Sequence, residues 1–165
     1  MLSKKLENAM NDQINNEFYA SYLYLSMSAY CDRQNLSGLA KWMRLQSQEE
    51  TGHAMKLFDF LADCNKTIKL GGIAAPPIEF KSILHLFEQA YQHEVKVSKR
   101  INALYELTIE EKAFAVQTHL DWFLTEQVEE EKTAGDIVAK LKLIKDDVAS
   151  LLALDRDLGE RDLAE

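Results

Sequence analysis

The sequence of 165 residues has few of the residues that interrupt regular structure. It contains 6 glycines and 2 prolines, and the prolines are adjacent at Pro76 and Pro77, so no proline breaks the long stretches on either side. A sandwich or barrel with many turns would need more turn-forming residues than this. The composition therefore predicts an all-α chain, and its length predicts a single domain over residues 1–165.

Cysteines and long apolar segments are also scarce. Cys31 and Cys64 stand far apart without a CxxC pairing, so we expect free thiols in a reducing cytoplasm. No run of eighteen apolar residues exists, which argues against a membrane-spanning helix. Lys4 and Lys5 are not followed by an apolar stretch, so a secretory signal is not expected either. These absences together predict a cytoplasmic protein.

The chain has fewer basic residues than acidic ones. The chain has 19 Lys and Arg residues against 27 Asp and Glu residues, giving a formal charge of -8. Such a surface repels nucleic-acid phosphates and anionic membranes, and it attracts cations. We therefore expect neither nucleic acid nor membrane as a partner.

Helical periodicity predicts four long helices, over about 3–32, 36–64, 83–107 and 108–144. Ser3 is expected to cap the first helix, and the T-x-x-E form of residues 108–111 predicts that a capping box opens the fourth at Thr108. Asp146 or Asp147 is expected to cap a short fifth helix over about 148–157.

The connection over residues 65–82 contains two glycines and both prolines, which predicts a long loop. At about 3.3 Å per residue it can span roughly 55 to 60 Å, enough to run the length of a bundle, although length alone does not force that route. The predicted fold is a four-helix bundle over about 3–144 with one long crossover connection and a short fifth helix.

The predicted core side of each helix carries a carboxylate near its middle. Positions spaced alternately three and four residues apart define that side, and they are mostly apolar. Near the middle of each of the four lines stands one glutamate: Glu17, Glu50, Glu94 and Glu130. The middles of aligned helices fall at one level, so these side chains should converge in one buried layer. Bare carboxylates there would be prohibitive, so protons or metal ions must neutralise them.

Glu50 and His53 form an E-x-x-H pair, which places both side chains on one face of the helix. A histidine with several carboxylates makes an oxygen-rich site with room for two cations. Such a site suits Fe(II), Mn(II) or Zn(II) better than a metal that prefers thiolates.

These motifs closely resemble those of the ferritin family, specifically the bacterial haem-free ferritins. The resemblance covers nearly the whole chain, including the helix order, and its matching segments are Asn16-Glu17-Phe18-Tyr19, Gln48-Glu49-Glu50-Thr51-Gly52-His53, Glu94 and Glu126-Gln127-Val128-Glu129-Glu130-Glu131. The resemblance implies a ferritin-like bundle with a diiron ferroxidase centre.

The resemblance also implies a role for each site residue. One iron would be bound by Glu17, Glu50 and His53, and the second by Glu50, Glu94 and Glu130, with Gln127 beside it. A third iron position would be formed by Glu49, Glu126, Glu129 and Glu130. Tyr24 would neighbour the centre as a hydrogen-bond donor or electron source.

Two departures from bacterioferritins bear on the cofactor. Those proteins have a second E-x-x-H in the fourth helix and a haem-ligating methionine after the equivalent of Glu50, whereas this chain has Gln127-Val128-Glu129-Glu130 and Thr51. Haem is therefore not expected. The asymmetric second site suggests that iron binds there more loosely and passes onward.

Members of the family form hollow shells of 24 subunits that store ferric mineral, with the fifth helix lining the fourfold axes. The resemblance thus implies an iron-storage enzyme, a ferroxidase that oxidises Fe(II) with dioxygen or hydrogen peroxide and deposits ferric oxyhydroxide. Tyr19, Tyr22 and Tyr30 form a second apolar stripe on the first helix, which suggests a subunit contact.

Several residues near the motifs are expected to take no part in the centre. His85, His93 and His119 are interpreted as structural, and Glu131 is expected to face solvent because Glu129-Glu130-Glu131 runs round the helix.

Two other functions remain open at this point. The first is a dimeric diiron peroxidase or oxidase without storage, although the chain lacks the four-cysteine rubredoxin-like segment that usually delivers electrons. The second is a non-catalytic helical interaction protein whose buried carboxylates stay protonated.

Overall fold

Five helices make up the fold of the computed structural model, which describes residues 2–162. They are α1 (Lys4–Arg33), α2 (Ser37–Asp63), α3 (Ile83–Glu110), α4 (Phe114–Ile144) and α5 (Val148–Gly159). Helices α1 and α2 pack as one pair, α3 and α4 as a second, and α5 packs mainly against α2. The predicted four-helix bundle with a short fifth helix is confirmed.

The long connection crosses the bundle along α1. Asn11 near the start of α1 holds the loop at Thr67 and Lys69, while Tyr30 near its end donates to the carbonyl of Phe80. The loop thus runs alongside α1 from Asn11 to Tyr30, a distance of about 28 Å at ~1.5 Å per residue. The loop therefore returns the chain to the end where α2 began, which makes α2 and α3 parallel.

Two of the predicted caps are present. The Ser3 hydroxyl accepts from the Leu6 amide at 3.1 Å, and of the two candidates for α5 it is Asp147 that accepts from the Ser150 amide, at 3.0 Å. Each satisfies a backbone donor that the first helical turn leaves without an internal partner.

The capping box predicted at Thr108 is wrong. Thr108 lies inside α3, fully buried, and its hydroxyl donates back to the carbonyl of Tyr105 at 2.6 Å. Because this local bond is compatible with a continuing helix, α3 extends to Glu110. A break follows at Lys112, whose φ is 53°, and α4 begins at Phe114.

The apolar core is divided into two parts by a polar layer. One part is built around Met10, Leu57, Ile101 and Leu120, and the other around residues such as Met27, Met43, Phe87 and Leu141. On every long helix the residues between the two parts include the predicted mid-helix glutamate. The fold therefore sets four helix midpoints at one level.

The predicted tyrosine stripe on α1 is only partly available for contact. Tyr22 is 51% exposed and Tyr19 is half-buried, but Tyr30 is buried against Phe80. Tyr30 is covered because the crossover loop passes over that end of α1. Its assignment to a subunit contact is wrong.

Helix α5 is held against the start of α2 by a close backbone approach. The Asp155 carboxylate accepts from the Leu39 amide at 2.8 Å, and a Cβ atom at Gly38 would lie 1.8 Å from the Asp155 carbonyl oxygen. Only glycine fits at Gly38.

Within residues 2–162, no helix has both the length and the apolar character needed to cross a bilayer.

Candidate metal centre

The four mid-helix glutamates all lie in the interior of the bundle. Glu94 is 0% exposed, Glu17 and Glu50 are each 1% exposed, and Glu130 is 7% exposed. Each comes from a different long helix, so the layer depends on the helices being aligned by the loops that join them. The predicted burial of all four carboxylates is confirmed.

Glu17, Glu50 and His53 form a compact three-residue cluster. One potential ligand atom of each lies within 4.8 Å of the others. The Nδ1 atom of His53 is 3.3 Å from a Glu50 oxygen, because three residues of helix bring them onto one face. Gln13, one turn before Glu17, donates its amide N–H to Oε1 of that carboxylate at 2.7 Å.

Within the described residues 2–162, two carboxylate oxygens of this cluster have no hydrogen-bond partner. They are Oε2 of Glu17 and Oε1 of Glu50, both buried. Buried polar atoms are nearly always paired, since an unpaired one pays the full cost of its desolvation. Carboxylate oxygens left free beside an imidazole are the ligand types that a divalent first-row metal prefers, so the donor set fits such a cation.

Glu94 lies in the same layer but is engaged differently. The Tyr24 hydroxyl donates to its Oε1, and the Gln127 side-chain amide lies 3.3 Å from its Oε2. Among residues 2–162, Glu94 does not join a close cluster of three potential ligands. Its carboxylate is held by neutral donors that a cation could replace or share.

A second compact cluster adjoins the first through His53. It consists of His53, Glu126 and Glu130, again with ligand atoms within 4.8 Å of one another. The Nε2 atom of His53 is 3.7 Å from Glu126. The imidazole therefore faces a carboxylate on each side and joins the two clusters.

The remaining residues predicted for the third position are not drawn into this cluster. Glu49 is ion-paired with Arg161 at 2.5 Å, and Glu129 is exposed. Glu131, expected to face solvent, is half-buried, so that expectation is wrong. The rotation of α4 that buries Glu130 in the core tilts Glu131 partly inward and Glu129 outward.

Burial dominates the electrostatics of the carboxylates. It raises the pKa of Glu50 well above its usual range, and the charge of Glu94 adds to the effect. Burial, with the neighbouring Glu130 second, raises the pKa of Glu94 to about 8 although the Tyr24 hydrogen bond acts in the opposite direction. Without metal, the layer therefore takes up protons.

His53 and Tyr24 both stay protonated at neutral pH. Burial lowers the pKa of His53, but hydrogen bonds to Glu126 and Glu50 outweigh it and raise the pKa to about 11. Burial, then the charge of Glu94, raises the pKa of Tyr24 well above 10. In the metal-free layer the imidazolium supplies the positive charge that the carboxylates require.

Three residues around the layer were not identified from the sequence. Gln46 donates to Oε2 of Glu130 at 2.9 Å, Trp122 packs edge-on against His53 at 5.3 Å between ring centres, and Arg161 reaches Glu49. Trp122 adjoins Phe123, which is two helical turns before Glu130 on the same apolar side of the helix, and this was a usable signal. Gln46 and Arg161 do not belong to any sequence motif that would have identified them.

The histidines interpreted as structural lie outside both clusters. His93 packs against the rings of Tyr19 and Tyr24, with centroids 6.1 and 6.3 Å away, and burial lowers its pKa to about 4. His119 stacks on Phe60 at 4.2 Å. Neither is in a close group with the glutamates.

Comparison with known proteins gives one consistent answer. The family model described as a ferritin-like domain matches residues 7–144. A bacterial non-heme ferritin of Bacteroides fragilis is 44% identical over 161 residues, 98% of this chain and 100% of that protein. A bacterial non-heme ferritin of Staphylococcus aureus is 37% identical over 161 residues, 98% of this chain and 97% of that one.

Solved structures agree with the sequence comparisons. An open pore ferritin from the hyperthermophilic archaeon Archaeoglobus fulgidus superimposes with a TM-score of 0.98 at 49% identity, covering 98% of this chain and 100% of that one.

Proposed function

Because the chain belongs to the family of proteins with a ferritin-like domain, we propose that it is an iron-storage protein with ferroxidase activity. The observation that carries the proposal is the pair of buried, unpartnered oxygens on Glu17 and Glu50 beside His53. Two unpartnered carboxylate oxygens side by side would be costly in a purely structural layer. Iron is the substrate and the cargo of this site.

The proposed ligands follow the predicted sets. Glu17, Glu50 and His53 bind one Fe(II), while Glu50, Glu94 and Glu130 bind the second. Gln127 lies beside the second position, since its amide already contacts Glu94 at 3.3 Å. Glu49, Glu126, Glu129 and Glu130 are the proposed ligands of a third Fe(II), and its support is the cluster of Glu126 and Glu130 with His53.

The anionic layer favours oxidation of its substrate. Each Fe(II) that becomes Fe(III) gains a unit of positive charge, and carboxylate oxygens stabilise the higher charge more strongly. Two neighbouring Fe(II) ions can together supply two electrons to dioxygen or hydrogen peroxide. Hydrolysis of the ferric product to oxyhydroxide then provides the stored form.

Tyr24 positions Glu94 in this proposal. Its hydroxyl donates to the carboxylate, and its raised pKa keeps the phenol protonated at neutral pH. The donor therefore persists when Glu94 is ionised. The same contact puts the phenol directly against a proposed ligand, which makes Tyr24 a candidate electron source.

For storage we propose a homo-oligomeric shell of 24 subunits with α5 at the fourfold axes. Tyr22 and Leu25 on α1 are 51% and 48% exposed, which supports a subunit contact on that face. Cys31 and Cys64 are free, which supports location in the reducing cytoplasm.

Size-exclusion chromatography before and after aerobic Fe(II) loading tests storage. The proposal expects a particle of 24 subunits that retains ferric iron. A dimer would instead favour a diiron oxidase without storage, and a protein that takes up no metal would favour the non-catalytic interaction protein.

The oxidation site is tested by variants of Glu50 and His53. Glu50→Ala and His53→Ala should slow the rapid phase of Fe(II) oxidation at least tenfold in stopped-flow absorbance while leaving the particle size unchanged. Glu88→Ala is the matched control, because this glutamate is on the surface of α3 and pairs with Lys142 at 3.2 Å. Unchanged kinetics in both site variants would refute the assignment.

A further inference from the structure

Arg161, just beyond α5, reaches back to the metal-binding side of α2. Its guanidinium pairs with Glu49 at 2.5 Å and donates a second N–H to Oε1 of Gln46. The same group lies over the ring of Trp42, 5.0 Å from its centroid. Three contacts on α2 thus fix the direction of one cationic side chain.

The contact with Gln46 extends the influence of Arg161 into the carboxylate layer. With its oxygen held by Arg161, the Gln46 amide must present its nitrogen elsewhere, and it donates to Oε2 of Glu130 at 2.9 Å. Arg161 therefore touches Glu49 directly and orients the donor to Glu130. Both glutamates are proposed ligands of the third Fe(II).

We propose that Arg161 is a displaceable positioning residue, a cation that pairs with Glu49 until a divalent cation binds at the third position. The inference rests on the proposed function, since it concerns the third position of that same site. Binding of the third cation breaks the Arg161–Glu49 pair and frees the guanidinium from Trp42. Loading of the site is thereby coupled to release of Arg161, in the segment of residues 160–162, from its contacts on α2.

The strength of the pair allows such exchange. The Arg161 and Glu49 side chains are 24% and 17% exposed, so solvent screens part of their attraction. A divalent cation carries twice the charge of the guanidinium and can bind several carboxylates at once. A divalent cation can therefore displace the guanidinium from Glu49.

The segment has a second cationic contact that does not involve the site. Lys41 donates to the carbonyl of Gly159 at 3.0 Å and lies 3.6 Å from Asp162. Lys41→Gln therefore removes one positive charge and one anchor of the same segment, but no partner of a proposed ligand. It is the matched control for Arg161→Gln.

The test uses Zn(II), which is redox-inert and does not require turnover, added to the assembled protein. Isothermal titration should give two tight equivalents per subunit and a weaker third. Arg161→Gln should tighten the third equivalent about threefold to tenfold, the range expected when a partly exposed ion pair no longer competes. Lys41→Gln should leave it unchanged, and Glu49→Gln should abolish it.

Trp42 fluorescence gives an independent readout. In a Trp122→Phe background Trp42 is the remaining tryptophan, because the chain has 2. Its emission should stay constant over the first two equivalents and change with the third, and Arg161→Gln should remove the change. No change in either measurement with the third equivalent would overturn the role of Arg161 and leave the two-metal centre standing. Failure to bind any Zn(II) would overturn both.

Discussion

Cation binding at the buried layer should release protons. The metal-free layer holds them on groups that must lose them to become ligands: the pKa of His53 is raised to about 11 and that of Glu94 to about 8. At pH 6.5 both groups are almost fully protonated, so filling the first two proposed positions should release about two protons per subunit from them. Glu50, whose pKa is also raised, adds to this number.

The number of protons released also predicts how the affinity of the layer for the cations changes with pH. Each displaced proton makes the overall binding constant rise about tenfold per pH unit while its group is protonated in the free protein. Between pH 6 and 7 the two protons on His53 and Glu94 alone give a rise of about a hundredfold per unit, and any proton on Glu50 adds to it. Above pH 8 Glu94 is ionised before the cation arrives, so the rise falls to about tenfold per unit and continues until His53 titrates.

Isothermal titration of Zn(II) at pH 6.5, in two buffers of different ionisation enthalpy, measures the protons released. Glu94→Gln should reduce the number by about one, because glutamine resembles the protonated acid but has no proton to lose. Glu88→Gln, on the surface of the same helix, should leave it unchanged. Release of no protons by the unaltered protein, or the same number from Glu94→Gln, would refute the reasoning that burial keeps the layer protonated.

Three further outcomes are expected. The melting temperature of the metal-free protein should fall from pH 5 to pH 8, because groups whose pKa is raised in the fold stabilise it at low pH and that stabilisation is lost as pH rises. The contribution of Glu94, on the order of 4 kcal/mol and lost by about pH 8, should disappear in Glu94→Gln by calorimetry. Tyr24→Phe should leave assembly intact but slow Fe(II) oxidation several-fold in stopped-flow assays, since Glu94 loses its hydroxyl donor; an unchanged rate would exclude a positioning role. Gly38→Ala should destabilise the protein by about 2 kcal/mol or more through overlap with the Asp155 carbonyl, whereas Gly52→Ala, with open space around it, should be neutral or stabilising in the same melting experiment.

The carboxylate layer could be predicted from the sequence because its signal is local to each helix. Glu17, Glu50, Glu94 and Glu130 each interrupt an apolar line with helical spacing, and a bundle places such lines inside. The pairing of Glu50 with His53 is also contained in one turn of α2. Only the alignment of helix midpoints had to be assumed.

What could not be predicted depends on tertiary contacts. Arg161 and Glu49 are 112 residues apart, and their contact exists only because α5 docks on α2. Gln46 acquires its role from that same contact. At Thr108 the local pattern predicted a helix start, but the buried side chain bonded backward and α3 continued. The T-x-x-E pattern at Thr108 therefore did not mark a helix start, because the backbone there is still helical.

The proposed function depends on Fe(II) binding between the buried carboxylates of the four helices. The most direct test is anomalous diffraction at the iron edge from crystals soaked anaerobically in ferrous salt. We expect two iron peaks per subunit in the layer, one bound by Glu17, Glu50 and His53 and one by Glu50, Glu94 and Glu130. No iron density between these side chains would contradict the account.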